Sequence, residues 1–174
     1  MKRLAAIILL LCLCHIACAQ NTKADYIKRT QIITRDTNFA LGQFFVAWEA
    51  MEAANATTRR KESDEEIGER KLQRDAARAA LLKSMPVVRA NAKRMRSISP
   101  VPRFYKKADD RFIDAGYALD SAMSSLESWL IQPSDMWKSQ TEKHARKALT
   151  DIDAATRALS ERSEAGVVNK TYTD

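Results

Sequence analysis

The sequence predicts an all-α protein, an antiparallel four-helix bundle with long amphipathic helices. Its composition favours helix, because it is rich in Ala, Arg, Lys, Glu and Leu and holds only four Gly and four Pro. Apolar residues recur at alternating steps of three and four in four successive segments, which is the spacing of a helix that buries one face. Short polar or proline-containing segments separate them, as in a bundle.

The first predicted helix begins at Thr22, a plausible N-cap, and ends at about Asn55. Its apolar face is broad on one side, where aromatic residues accompany the main stripe. The stripe consists of Tyr26, Thr30, Ile33, Thr37, Ala40, Phe44, Ala47 and Met51, with Leu41, Phe45 and Trp48 beside it.

The second predicted helix opens with a capping box, in which Ser63 and Glu66 each satisfy an amide of the first turn. Its buried face is expected to hold Ala77, Leu81, Met85, Val88, Ala92 and Met95. Pro86 lacks the amide hydrogen and crowds the carbonyl of Leu82, so we expect the helix to be kinked or split there.

The third and fourth helices follow the proline-containing segment "SISPVPRF" and the turn at 132–135. Ser134 is the expected N-cap of the fourth helix, and Gly166 its expected end. Their alanine-rich faces predict a close approach between these two helices. The faces are Ala108, Phe112, Ala115, Leu119, Ala122, Leu126 and Trp129, and then Trp137, Thr141, Ala145, Ala148, Ile152, Ala155 and Leu159.

These elements predict one domain over residues 20–166 and a frayed tail over 167–174. Trp129 and Trp137 flank the last turn, and we expect them to plug one end of the bundle. The alternative for these two side chains is a pocket for an aromatic or saccharide ligand. An extended two-helix hairpin that dimerises, or another homo-oligomer, is an alternative architecture with the same periodicity.

Residues 1–19 have the three parts of a secretory signal peptide. These parts are a basic start at Lys2 and Arg3, an apolar run over Leu4–Leu13, and small residues at Ala17 and Ala19. An apolar run of about 10 residues is half the length that a membrane-spanning helix needs. We therefore expect cleavage after Ala19, a new N-terminus at Gln20, and export to a bacterial periplasm or to the medium.

The cysteines Cys12, Cys14 and Cys18 all lie in this predicted signal peptide. The exported chain would then contain no disulfide and no thiol nucleophile, and its 155 residues are enough to build a core without a disulfide. The alternative is a lipoprotein acylated at Cys18. A haem attachment motif, C-x-x-C-H, does not occur, because Cys12-Leu13-Cys14-His15 is one residue short.

The predicted exported chain offers little for catalysis. His144 would be its only histidine, and no G-x-S-x-G turn is present. The di-iron pattern requires Glu-x-x-His pairs, whereas Glu142 lies two residues before His144. We therefore predict no enzyme activity, no catalytic residue, no metal ligand and no cofactor. A haem-binding or metal-binding bundle is the alternative that involves a cofactor.

Positive charge is the most unusual feature of the sequence. The chain has a net charge of +7, or +5 after loss of Lys2 and Arg3. Residues 70–107 contain twelve Lys or Arg and one acidic residue, Asp75, whereas residues 108–165 contain eleven acidic and seven basic residues. The predicted binding residues are Lys71, Arg74, Arg78, Arg89, Lys93 and Arg96 on the second helix, and Arg103, Lys106 and Lys107 in the following loop.

Two interpretations of this basic arm, residues 70–107, compete. It is either neutralised by a neighbouring acidic helix or it binds an anionic partner, which outside the cytoplasm means an envelope polymer, a phospholipid headgroup or an acidic protein surface. We expect no nucleic-acid binding, because no such motif is present, and at most peripheral membrane contact. The alternatives are an adaptor, inhibitor or immunity-type protein with one protein partner, or a holdase chaperone.

Overall fold

The computed structural model of the chain describes residues 2–56 and 63–168, and the side chains of residues 22–56 and 63–161. Within these ranges the protein is all-α, as predicted, with four helices packed against one another and no strand. The helices are α1 (Lys2–Asn55), α2 (Asp64–Arg96), α3 (Lys106–Ile131) and α4 (Asp135–Val168), and a 3₁₀ turn (Arg103–Tyr105) precedes α3.

The two predicted serine caps are confirmed. The amide of Glu66 donates to Ser63 Oγ over 3.2 Å, and the amide of Ser63 donates to Glu66 Oε2 over 2.7 Å, which completes the capping box of α2. At the start of α4, the amide of Trp137 donates to Ser134 Oγ over 3.4 Å. Each serine thus satisfies an amide that the first helical turn leaves without a backbone partner.

Two predicted helix boundaries are wrong, and one of the two alternatives for Pro86 is excluded. α1 already includes Thr22, because residues 2–21 are helix formers without Gly or Pro. α2 is one helix through Pro86 and is not split there; Pro86 is exposed, so water can reach the Leu82 carbonyl that has lost its amide partner. α4 continues past Gly166 to Val168, while residues 169–174 of the predicted tail lie outside the described part.

The predicted core is confirmed. Every residue of the four predicted apolar faces is buried except Phe45 and Trp137, which are half-buried. The backbones of α3 and α4 approach each other over a greater length than those of any other pair, and the alanines of both predicted faces are fully buried between helices. Because alanine is small, these two helices can pack closely.

Larger side chains fill the space between α1 and α3. The rings of Phe44 and Trp48 stack with centroids 6.0 Å apart, and Trp48 lies 4.9 Å from the ring of Trp129. α1 also packs along α2, and α2 along α3. Within the described ranges, no helix is both long enough and apolar enough to span a bilayer.

Candidate anion-binding surface

The middle of the basic arm is engaged with α3. Arg89 Nη2 lies 2.7 Å from Glu127 Oε2. Arg96 forms an ion pair with Asp120, donates to the carbonyl of Gly116 over 3.2 Å, and lies over the ring of Tyr117 with 5.0 Å to the centroid. Neutralisation by an acidic neighbour therefore applies to Arg89 and Arg96, two of the nine predicted binding residues.

A third arginine of α2 that we did not predict as a binding residue is also engaged. Arg94 Nη1 donates to Asp36 Oδ2 of α1 over 2.9 Å and to Asn91 Oδ1 over 3.0 Å. The hydrogen bonds from Arg94 and then from Arg35 hold the pKa of Asp36 below its usual value. Arg94 thus joins α1 to α2 as Arg96 joins α2 to α3.

At one end of the bundle, Lys71, Arg74 and Arg78 line a cavity of about 750 Å³. Its apolar part comes from Met51, Trp129 and Leu130, which are themselves almost completely buried. Arg78 donates to the carbonyl of Leu130 over 3.2 Å, which leaves Lys71 and Arg74 as the exposed cations without an ion pair to a described residue.

The charges that line this cavity are mixed. Lys138 of α4 adds a fourth cation, and Glu52, Asp75 and Asp135 supply three carboxylates. Lys138 forms an ion pair with Glu52, and this hydrogen bond raises the pKa of Lys138. The cavity therefore has little excess positive charge. The alternative of a ligand pocket required both Trp129 and Trp137 to line a cavity. Trp129 lines this cavity, whereas Trp137 does not.

At the opposite end of the bundle, Arg103, Lys106 and Lys107 are exposed around Phe104. Pro100 and Pro102 prevent α2 from continuing into α3, and the amide of Tyr105 donates to the carbonyl of Pro102 over 2.8 Å to close the 3₁₀ turn. We name this cluster, residues 103–107, the basic turn. Phe104 is 78% exposed, although nothing in the sequence marks it and an aromatic residue is usually buried.

Buried aromatic residues anchor the basic turn to α1. Tyr105 is buried and stacks on Tyr26 with ring centroids 5.5 Å apart. The hydroxyl of Tyr26 donates to Asp109 Oδ1 over 3.2 Å. Burial raises the pKa of Asp109, and burial together with the nearby carboxylate raises the pKa of Tyr26. The position of the turn is therefore determined by a packed polar cluster.

Lys93 is the remaining predicted residue; it is exposed and has no ion pair to a described residue. Within the described side chains, six of the nine predicted cations are thus exposed without an ion pair or hydrogen bond. They are Lys71, Arg74, Lys93, Arg103, Lys106 and Lys107. Lys71 and Lys93 are 22 positions apart on one helix, or about 33 Å. A compact ligand cannot contact both ends.

His144 is half-buried on α4, and Asp151, seven residues further along the same helix, is buried. Asp151 accepts from Arg111 Nη1 over 3.3 Å and forms an ion pair with Lys147, so this carboxylate is neutralised within the bundle. Among the side chains that the structure describes, no three His, Cys, Asp or Glu residues are grouped so that they could hold a metal ion.

Fold and surface together define an all-α helical bundle with exposed cations at both ends and paired arginines between them. No family model, curated protein or solved structure matches the chain.

Proposed function

We propose that this protein is an exported, non-enzymatic binding protein that needs no cofactor and captures an anionic component of the cell envelope through its basic arm. The observation that carries the proposal is the division of the arm into paired and unpaired cations. Six exposed cations have no carboxylate partner among the described residues, so they can approach an external anion without breaking an internal ion pair.

The proposed architecture is the predicted antiparallel four-helix bundle. Contacts between successive helices support this arrangement. As residue numbers rise along one helix, the residues that it contacts in the next helix have falling numbers, as expected for antiparallel helices. Arg70 contacts the carbonyl of Ala56 and Arg94 contacts Asp36. Between α2 and α3, Arg96 pairs with Asp120 and Arg89 with Glu127. A bend of α2 at Pro86 also remains a proposal, supported by the loss of one backbone hydrogen bond there.

Export is supported by the signal-peptide features of residues 1–19. Cleavage after Ala19 would release the bundle as a protein of the bacterial periplasm or the medium. Acylation of Cys18 is the lipoprotein alternative, and it would retain the bundle at a membrane. The mass of the protein purified from the cells that make it separates the two outcomes.

Binding is proposed to take place in two steps. The long-range field of the basic arm attracts the anion, and the six unpaired cations then make short-range contacts with it. Because these side chains are exposed, their attraction should be strongly screened by salt. Arg89 and Arg96 are paired with carboxylates of α3, so they add little either to the long-range field or to the short-range contacts.

The test compares two variants of the protein purified from its own cells. One replaces the six unpaired cations by Gln, and the control replaces the paired residues, Arg89→Gln and Arg96→Gln. Binding to lipopolysaccharide, to purified wall polymer and to vesicles with anionic headgroups is measured at low and high salt. We expect salt-sensitive binding that the six-residue variant loses and the control variant keeps.

Two results would contradict the proposal. If none of the three anionic materials binds, or if both variants bind as the parent does, the basic arm is a solvated surface. Crosslinking in the native cells that recovers a single stoichiometric protein would favour the adaptor, inhibitor or chaperone alternative. A haem band in the visible spectrum, or bound metal, would favour the cofactor alternative.

A further inference from the structure

Phe104 is an exposed aromatic side chain with cations beside it in sequence and in space. It is 78% exposed, and Arg103, Lys106 and Lys107 line the same surface depression of about 510 Å³. Asp110 is the one acidic residue in that lining, so three cations face one carboxylate. Lys23 of α1 adds a further cation nearby, with its Nζ 5.9 Å from the ring centroid of Tyr105.

The shape of this site does not suit a small ligand. All five described residues that line the depression come from one stretch of chain, 103–110, and among the side chains that the structure describes no second helix provides an opposite wall. Small-molecule sites enclose most of the ligand and bury it against apolar side chains. The basic turn instead presents its aromatic side chain outward from a fixed base, because the adjacent Tyr105 is buried against Tyr26.

An exposed aromatic residue between cations matches the chemistry of a phospholipid surface. Headgroup phosphates attract Lys and Arg, and an aromatic ring gains free energy by entering the boundary between headgroups and acyl chains. A soluble polyanion would use the cations equally well but would offer little apolar environment for Phe104. The combination therefore favours a bilayer over a wall polymer.

The end at which α1 enters the bundle also supports a phospholipid bilayer as the partner. Tyr26 and Lys23 of α1 lie beside the basic turn, so α1 enters the described bundle at this end. The proposed exported N-terminus at Gln20, or an acylated Cys18, would lie only a few residues away along the chain. The acylated form would place the basic turn on the side of the bundle that is closest to the membrane, whereas the cleaved form would have to reach the membrane through the charge of the turn alone.

We propose that the basic turn is a membrane-docking site, in which Phe104 inserts between anionic phospholipids while Arg103, Lys106 and Lys107 contact their phosphates. This inference rests on the proposed anion-binding function and names the ligand class for the basic turn, while Lys71 and Arg74 at the opposite end take no part in docking. Docking through one turn is peripheral contact, because a single aromatic side chain reaches only the interfacial region.

The test uses the exported protein and vesicles of phosphatidylcholine with or without phosphatidylglycerol, separated by flotation. We expect binding only to the phosphatidylglycerol vesicles. Replacing Arg103, Lys106 and Lys107 by Gln should weaken it about 100-fold, since each cation near an anionic surface contributes roughly fivefold. The matched control replaces Lys83, Lys143 and Arg146 by Gln; these are exposed cations elsewhere with the same total charge, and we expect a much smaller effect.

Phe104 needs a separate test because charge alone does not report insertion. Phe104→Ser should weaken binding about tenfold without lowering the melting temperature, because the side chain is exposed. Phe104→Trp should keep the affinity and acquire fluorescence that brominated phosphatidylglycerol quenches. Quenching should be far smaller for the parent protein, whose tryptophans lie at or near the opposite end or in the core.

The outcomes separate this inference from the function on which it rests. If the protein binds lipopolysaccharide or wall polymer through its cations, and Phe104→Ser changes nothing, the anion-binding function stands and membrane docking is wrong. Equal effects of the two cation triplets, or no quenching of Phe104→Trp in bound vesicles, would also overturn it. Failure to bind any anionic material would reject both proposals.

Discussion

Replacement of Gly116 by alanine tests how closely α2 and α3 pack. A Cβ atom on Gly116 would lie 2.7 Å from the carbonyl oxygen of Ala92 and 2.8 Å from Cγ of Arg96. The Arg96 side chain can move, although its ion pair with Asp120 would suffer. The Ala92 oxygen belongs to the helix backbone, so it can move only if the two helices separate.

The expected magnitude is a balance of two effects. Alanine is a better helix former than glycine by about 1 kcal/mol in a helix interior. Overpacking costs about 1–3 kcal/mol, and loss of a partly exposed ion pair costs up to about 1 kcal/mol more. Together these effects span a loss of about 0–3 kcal/mol, and we take the middle of that span, a fall of about 1–2 kcal/mol in the free energy of unfolding, as the expectation for Gly116→Ala. For a chain of this size, the melting temperature should fall by about 2–8 °C.

Urea and thermal unfolding followed by far-ultraviolet circular dichroism measure this change, and two other glycines provide matched controls. A Cβ on Gly42 or on Gly68 would meet no atom within 4 Å. Both positions are helical, so Gly42→Ala and Gly68→Ala should each gain about 0.5–1 kcal/mol. If Gly116→Ala is stabilised as much as these controls, the argument for a close α2–α3 contact is refuted.

Three further predictions follow from the core, a helix cap and a buried acid. Trp129→Ala should cost about 3–5 kcal/mol in urea unfolding, because Trp129 is buried against Trp48; a loss below about 1 kcal/mol would contradict this packing. Ser63→Ala should cost about 1 kcal/mol by the same measurement, whereas Ser63→Gly should cost only a few tenths, and equal losses would argue against the cap. The pKa of buried Asp109 is raised in the folded protein, whereas it is about 4 in the unfolded chain. The folded protein therefore loses stability as the pH rises from about 4 through the folded pKa, because the buried carboxyl must ionise. Asp109→Asn should therefore raise the melting temperature at neutral pH but not below about pH 4. If the variant also melts at a higher temperature in acid, the charge of Asp109 is not the cause of the difference.

The helices and their buried faces could be predicted from sequence because a bundle repeats one rule. The stripe of α3 from Ala108 to Trp129 is spaced by threes and fours, and every member is buried. Helix ends were harder to predict. Ser63 was predicted correctly from a local hydrogen-bond motif, whereas Thr22 and Gly166 were wrong because neither residue type by itself ends a helix.

The candidate site was less predictable, because exposure and pairing depend on the neighbouring helix. From the sequence, Arg89, Lys93 and Arg96 look equivalent on one side of α2. The structure places Glu127 and Asp120 of α3 against the two arginines and leaves Lys93 exposed. The exposure of Phe104 could not be predicted from the sequence either, because only the fold shows that the adjacent Tyr105 is the aromatic residue that is buried.

The division of the basic arm into paired and unpaired cations also determines which charge substitutions can test binding. Reversing Arg89 and Arg96 to Glu would place each new carboxylate beside Glu127 or Asp120, and like charges in contact destabilise the α2–α3 pair. A loss of binding in such a variant could arise from the fold as readily as from the surface. Neutral substitutions at Lys71, Lys93 and Lys107 remove charge without leaving a described carboxylate unpaired. A loss of binding in these neutral variants at an unchanged melting temperature would therefore report on the surface, whereas a loss after Arg89→Glu that comes with a lower melting temperature would report on the stability of the bundle.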